Sequence, residues 1–132
     1  MKRILGVLLA LFVLMILPSM SSAKENPDES IKGAADNYVE IIKKNDIFWE
    51  KGKAHYEFPL YDFEGNITGY LFTVKNYGKD SGYLIVNGNG DPIILESTRE
   101  GSHPYQGRKN DYQNAVYVGP TMHYVQEEKD TF

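Results

Sequence analysis

The chain has 132 residues, no cysteine, 18 acidic and 14 basic side chains, and a formal net charge of −4. That length suits one domain. The acidic balance speaks against nucleic-acid binding and offers no basic patch for anionic lipid, so a partner with a basic surface is the better match. Without cysteine the chain is not itself a cysteine peptidase, and it has no disulfide staples.

The first residues differ from the rest. Lys2 and Arg3 precede an uncharged apolar run from Ile4 to Leu17. Pro18 ends the run, and Ser21-Ser22-Ala23 places small residues where a signal peptidase cuts. This pattern predicts a secretory signal peptide over residues 1–23, cleaved after Ala23. The run is shorter than the ~20 residues of a spanning helix. No stable membrane anchor is therefore expected after cleavage. Cleavage removes only Lys2 and Arg3 among the charges, which takes the net charge from −4 to −6. A small exported domain without cysteine suggests a bacterial protein, secreted or held at the cell envelope.

Residues 24–29 are polar, contain Pro27, and read as a flexible arm. Ser30 or Asp28 can cap the helix that follows. Ile31, Ala34, Ala35, Tyr38 and Ile42 recur at helical spacing, with Lys32, Asp36, Glu40 and Lys43 mainly on the other side. Lys43 and Lys44 suit a helix C-terminus, and Asn45 suits its cap. Ile47, Phe48 and Trp49 follow. Trp49 reads as a core or rim residue at the junction of helix and sheet.

Four β-prone runs come next: Tyr56–Phe63, Ile67–Val74, Gly82–Asn87 and Ile93–Ser97. Glu64-Gly65-Asn66, the stretch from Asn76 to Ser81, and Gly88 to Pro92 separate them as turns. Short breaks make antiparallel pairing the default. Tyr70, Phe72 and Val74 alternate with Ile67, Gly69 and Leu71, and Tyr83 and Ile85 alternate with Leu84 and Val86. Both sheet faces are thus apolar. The helix covers one face, and either the C-terminal segment or another protein must cover the second.

Thr98 to Gln113 reads as a long loop of the kind that often carries function. Ala115–Val118 can form a fifth strand and Met122–Val125 a short sixth run. Residues 126–132 form a charged tail. The expected fold is α+β: one amphipathic helix packed on an antiparallel meander of four to five strands, spanning residues 30–125.

No candidate chemistry stands out. His55, His103 and His123 match no metal spacing. Gly88-Asn89-Gly90-Asp91 and Asp62 to Asn66 lack the ligand sets of calcium sites and suit hairpin turns. Ser102-His103 makes no defensible triad. The sequence predicts no catalytic, cofactor-binding or metal residues, no cofactor, and no enzyme.

Three pieces do carry a resemblance. They are Pro59 to Phe72 (PLYDFEGNITGYLF), Ser81 to Asn87 (SGYLIVN), and Asp91 to Ser97 (DPIILES) with Gly101 and Pro104-Tyr105. Together they resemble the propeptide-like N-terminal domain of secreted bacterial papain-like cysteine peptidases. Val116 to Pro120 (VYVGP) resembles the segment that leads from such a domain into the peptidase. The C39-like peptidases of bacilli are nearest, with the streptopain propeptide and its inhibitor more distant. The resemblance covers roughly residues 31–125. No counterpart of the peptidase domain with its Cys and His follows within the 132 residues. The resemblance therefore implies a free-standing propeptide that inhibits or chaperones a secreted papain-like cysteine peptidase. The alternative is a structural or ligand-binding envelope protein.

Overall fold

The computed structural model describes residues 26–107 and 115–126. The signal-peptide segment, Arg108 to Gln113 of the expected loop, and the tail beyond Gln126 lie outside the described residues. No described helix is long and apolar enough to cross a membrane.

Helix α1 spans Glu29–Lys43. Asp28 is its cap: the side chain accepts from the Ile31 amide at 3.0 Å and from the Ser30 hydroxyl at 2.6 Å. The helix therefore begins inside the segment expected to be an arm, where Pro27 is already buried. Lys44, not Asn45, closes its C-terminus. Ile31, Ala35 and Val39 are its buried residues. Val39, which the expected stripe omitted, is only 1 % exposed.

A single 3-10 turn, Ile47–Trp49, is capped by Asp46, which accepts from the Phe48 amide at 2.9 Å. Trp49 is fully buried and meets Tyr38 edge-on at 6.2 Å. Its indole N–H donates to the Ser81 carbonyl. The junction role expected of Trp49 is the one it has.

Six strands follow, one or two more than expected: β1 Lys53–Tyr61, β2 Ile67–Asn76, β3 Lys79–Asn87, β4 Ile94–Thr98, β5 Ala115–Gly119 and β6 Met122–Val125. Their order is β4-β3-β2-β1-β5-β6. The first four form the expected antiparallel meander. The β5–β6 hairpin is added beside β1, and β5 runs parallel to β1 at Tyr61 and Val116, so the sheet is mixed. The connection from β4 to β5 runs from one edge of the meander to the other, which permits that parallel pairing. β1 begins at Lys53 rather than Tyr56, because Lys53, His55 and Glu57 are exposed and alternate with half-buried Ala54 and Tyr56. Polar outward residues hid this part of the strand.

Two bulges in the β1–β2 ladder redistribute its side chains. Tyr56 pairs with Phe72 and Phe58 with Leu71, so Glu57 is an extra residue in β1. Ala54 and Tyr56 consequently pack on the helix side, while Phe58 and Leu60 face away. Leu60 pairs with Gly69 and Tyr61 with Ile67, so Thr68 is an extra residue in β2. That step sends Ile67 to the helix side, opposite to its expected grouping with Leu71. A bulge shifts the period of two by one residue and exchanges faces.

The interior has two apolar clusters. One lies between α1 and the sheet and includes Val39, Trp49, Phe72, Val74, Leu84 and Val86. The other lies on the opposite face and includes Phe58, Leu60, Leu71, Ile85, Tyr105 and Tyr117. Each fully buried side chain of this size adds about 1.5–3 kcal/mol. The chain's own C-terminal half thus covers the second face. Of the two covers left open by the sequence, this is the internal one.

Candidate functional site

Two neighbouring features stand out on the far side of the sheet. The first is a polar cluster set into the second apolar core. Glu96 on β4 accepts from the Tyr83 hydroxyl at 2.5 Å and from the Thr121 amide at 3.2 Å. His123 Nε2 on β6 lies 3.1 Å from the same carboxylate. Around them, the Tyr105 ring lies edge-on to His123 at 5.8 Å and the Tyr117 ring lies 5.7 Å from it, tilted by 33°. Tyr105 also donates to the Val116 carbonyl at 2.8 Å. The Tyr117 hydroxyl is buried without a well-formed hydrogen bond.

Burial, followed by the Glu96 charge, pushes the Tyr117 phenol up to about 12 and raises Tyr83 and Tyr105 as well. Phenols held neutral in this way are poor bases at physiological pH. Burial lowers His103, against weaker upward pulls from Glu57 and Asp80. His103 Nδ1 accepts from the Tyr105 amide at 3.2 Å, and its ring packs edge-on to Phe58 at 5.6 Å. That ring holds the β4–β5 connection against the sheet. Ser102, its neighbour in the chain, is exposed, whereas His103 is buried.

The three histidines divide. His103 and His123 flank Tyr105, while His55 stands exposed on β1. Among the described residues no group of three or more His, Cys, Asp and Glu could hold a metal ion.

Both turns weighed as calcium candidates are tied by their own side chains. Asp62 accepts from the amides of Glu64 at 2.8 Å and Asn66 at 2.9 Å, and these bonds, led by Asn66, hold its carboxyl below the usual range. Asn87 accepts from the Asn89 amide at 3.2 Å, and its own amide donates to the Ile93 carbonyl at 2.9 Å.

The second feature is an apolar groove of about 410 Å³ at the end of the sheet where β1 turns into β2. Asp62, Thr68, Leu95, Val118, Gly119 and Pro120 line it, with Tyr117 at its wall. Thr68 donates to the Tyr117 carbonyl at 3.1 Å, which joins the start of β2 to β5 beneath the groove. Close by, Phe63 and Tyr124 are 60 % and 48 % exposed, and their rings meet at 5.7 Å. Val118 and Met122 are also exposed. The volume lies in the range of small-ligand or side-chain pockets, roughly 300–1,000 Å³.

The groove was not visible as a site in the sequence, since its lining comes from three separated segments. The loop expected to be functional contributes differently. Its first part supplies His103 and Tyr105 to the core. No family model, no curated protein and no solved structure matches this chain.

Proposed function

We propose that this chain is a secreted, non-enzymatic, propeptide-like domain that binds and restrains a papain-like cysteine peptidase. One observation carries the reading. Pro59 to Phe72 and Asp91 to Ser97, which resemble parts of peptidase propeptides, meet Val116 to Pro120, which resembles the segment leading into the peptidase domain, at one apolar groove. Exposed Phe63, Val118, Met122 and Tyr124 lie near it. A partner's apolar side chain in the groove would bury surface that now faces water. The second sheet face, expected to be the contact, is filled by Tyr105, Ala115 and Tyr117. The groove end is thus the surface this reading assigns to the contact.

That internal cover also favours a second reading, an envelope protein that takes a small apolar ligand in the same groove. One experiment separates the two. Residues 24–132, which carry every described element, are titrated against the secreted cysteine peptidases of the source organism. Peptide-substrate progress curves should show saturable loss of activity, and calorimetry should show binding. Val118→Asp, at a position 46 % exposed, should keep the fold and weaken inhibition at least ~10-fold, the cost of one buried unpaired charge. If no such peptidase is bound or slowed at micromolar concentrations, the envelope reading replaces the first.

A further inference from the structure

We infer that the opposite end of the molecule is a docking surface for an anionic lipid bilayer. β1 and β2 are nine and ten residues long, so this end lies about 30 Å from the groove. Two turns of chain meet there. The Lys51 amide donates to Asn76 Oδ1 at 2.9 Å, the Ser81 hydroxyl donates to the Phe48 carbonyl at 2.8 Å, and the Tyr77 hydroxyl donates to Glu50. These bonds stitch the 3-10 turn to the β2–β3 turn and fix one rigid tip. The tip presents Ile47 at 76 % exposure, Tyr77 at 67 % and Phe48 at 46 %.

The charge around this tip is unlike the rest of the chain. Lys43, Lys44, Lys51, Lys53, Lys75 and Lys79 lie on or beside the elements that meet there. Only Lys32 and Arg99 complete the cations among the described residues. Lys53 and Lys75 are direct neighbours across β1 and β2. Three acidic groups at this end are paired with cations: buried Asp46 is held by Arg99 at 2.9 Å, Asp80 lies 3.9 Å from Lys75, and Glu40 pairs with Lys43. Glu50, which accepts from Tyr77, and exposed Glu100 keep their charge, so the lysines outnumber them. Lys44, Lys51, Lys53 and Lys79 remain exposed.

The sequence hid this. Its net charge is negative, and the lysines come in pairs far apart along the chain. The fold collects them because alternate turns of a meander share an end. Exposed apolar and aromatic tips surrounded by lysines match a bilayer interface: the tips enter the headgroup boundary while the ammonium groups meet lipid phosphates. The assignment does not depend on the peptidase reading, which uses the other end.

The test is co-sedimentation of residues 24–132 with phosphatidylcholine vesicles that contain or lack phosphatidylglycerol. The expected result is binding to the anionic vesicles at low salt and loss of binding near ~0.5 M salt, where charges are screened within a few ångströms. The triple variant K44E/K51E/K79E should bind at least ~10-fold more weakly. The I47S/F48S variant should lose affinity while its salt dependence persists. Circular dichroism checks that both variants are folded, which their exposed positions favour. The inference is overturned if the anionic vesicles bind neither protein at low salt, or bind the wild type and the triple variant equally. Capture of a soluble polyphosphate without vesicle binding also overturns it.

Discussion

His123 Nε2 lies 3.1 Å from Glu96 Oε2, although the two residues belong to the outermost strands of the sheet, β6 and β4. The sheet curls until its edges meet through this pair and through the Thr121 amide on the same carboxylate. Main-chain pairing does not join β4 to β6; side chains do.

Glu96→Ala should therefore destabilise the fold by about 2–4 kcal/mol, because it leaves His123, the Tyr83 hydroxyl and the Thr121 amide without their acceptor. Glu96→Gln keeps an acceptor and should cost less than half of that. Urea denaturation of both variants measures the difference. Equal loss in the two would mean that shape, not hydrogen bonding, sets the contribution of this residue.

Gly82 has φ +100°, and a Cβ there would lie 2.0 Å from the Thr98 carbonyl oxygen. Gly78 has φ +74° with open space around it. Gly82→Ala should cost well over ~3 kcal/mol, since β3 and β4 must separate, whereas Gly78→Ala should cost only the ~1 kcal/mol of a left-handed alanine. Thermal melts of the two variants should differ by many degrees.

The Thr73 hydroxyl is buried with no hydrogen-bond partner among the described residues. Valine has nearly the same shape and no hydroxyl. Thr73→Val should raise stability by about 1 kcal/mol, the relief of one unsatisfied polar group. A fall in the urea midpoint would show that this hydroxyl has a partner after all.

Two pH limbs follow from the second core. His103 is lowered by burial from its ordinary 6.5, so the unfolded chain takes up that proton first and stability drops as pH falls through and below ~6.5. His103→Asn keeps an acceptor for the Tyr105 amide and should flatten this acid limb. Tyr117 is pushed from 10.0 up to about 12, so the unfolded chain loses its phenolic proton first. Stability is then lost as pH rises from ~10 toward 12. The alkaline limb should be the same in His103→Asn. Melting temperature against pH checks both.

The strands were legible because Gly, Asn and Asp punctuate Tyr-, Ile- and Val-rich runs, and the helix because its apolar stripe has the right period. The bulges at Glu57 and Thr68 were not, since neither residue type announces an extra residue in a ladder. Their effect is large: they decide that Phe58 and Ile67 face opposite clusters from those simple alternation gives. The Glu96–His123 contact was invisible for another reason. It joins residues 27 apart whose meeting depends on sheet curl and on a parallel β5, neither of which local chemistry encodes. The second cover was left open because Tyr105 sits in a polar stretch, where a single buried aromatic leaves no periodic trace.

Trp49 is the only tryptophan of the chain, fully buried in the helix-side cluster. The far cluster holds Tyr83, Tyr105 and Tyr117 but no indole. The unmodified protein thus carries an optical probe confined to one half of its interior. Indole emission follows the release of α1 from the sheet, whereas the phenols report on both halves, because Tyr70 lies in the helix-side cluster with Tyr38 and Tyr56 packed against it. Should α1 leave the sheet before the far cluster opens, the indole signal would finish its change while part of the phenol signal was still to come, without a label or a substitution.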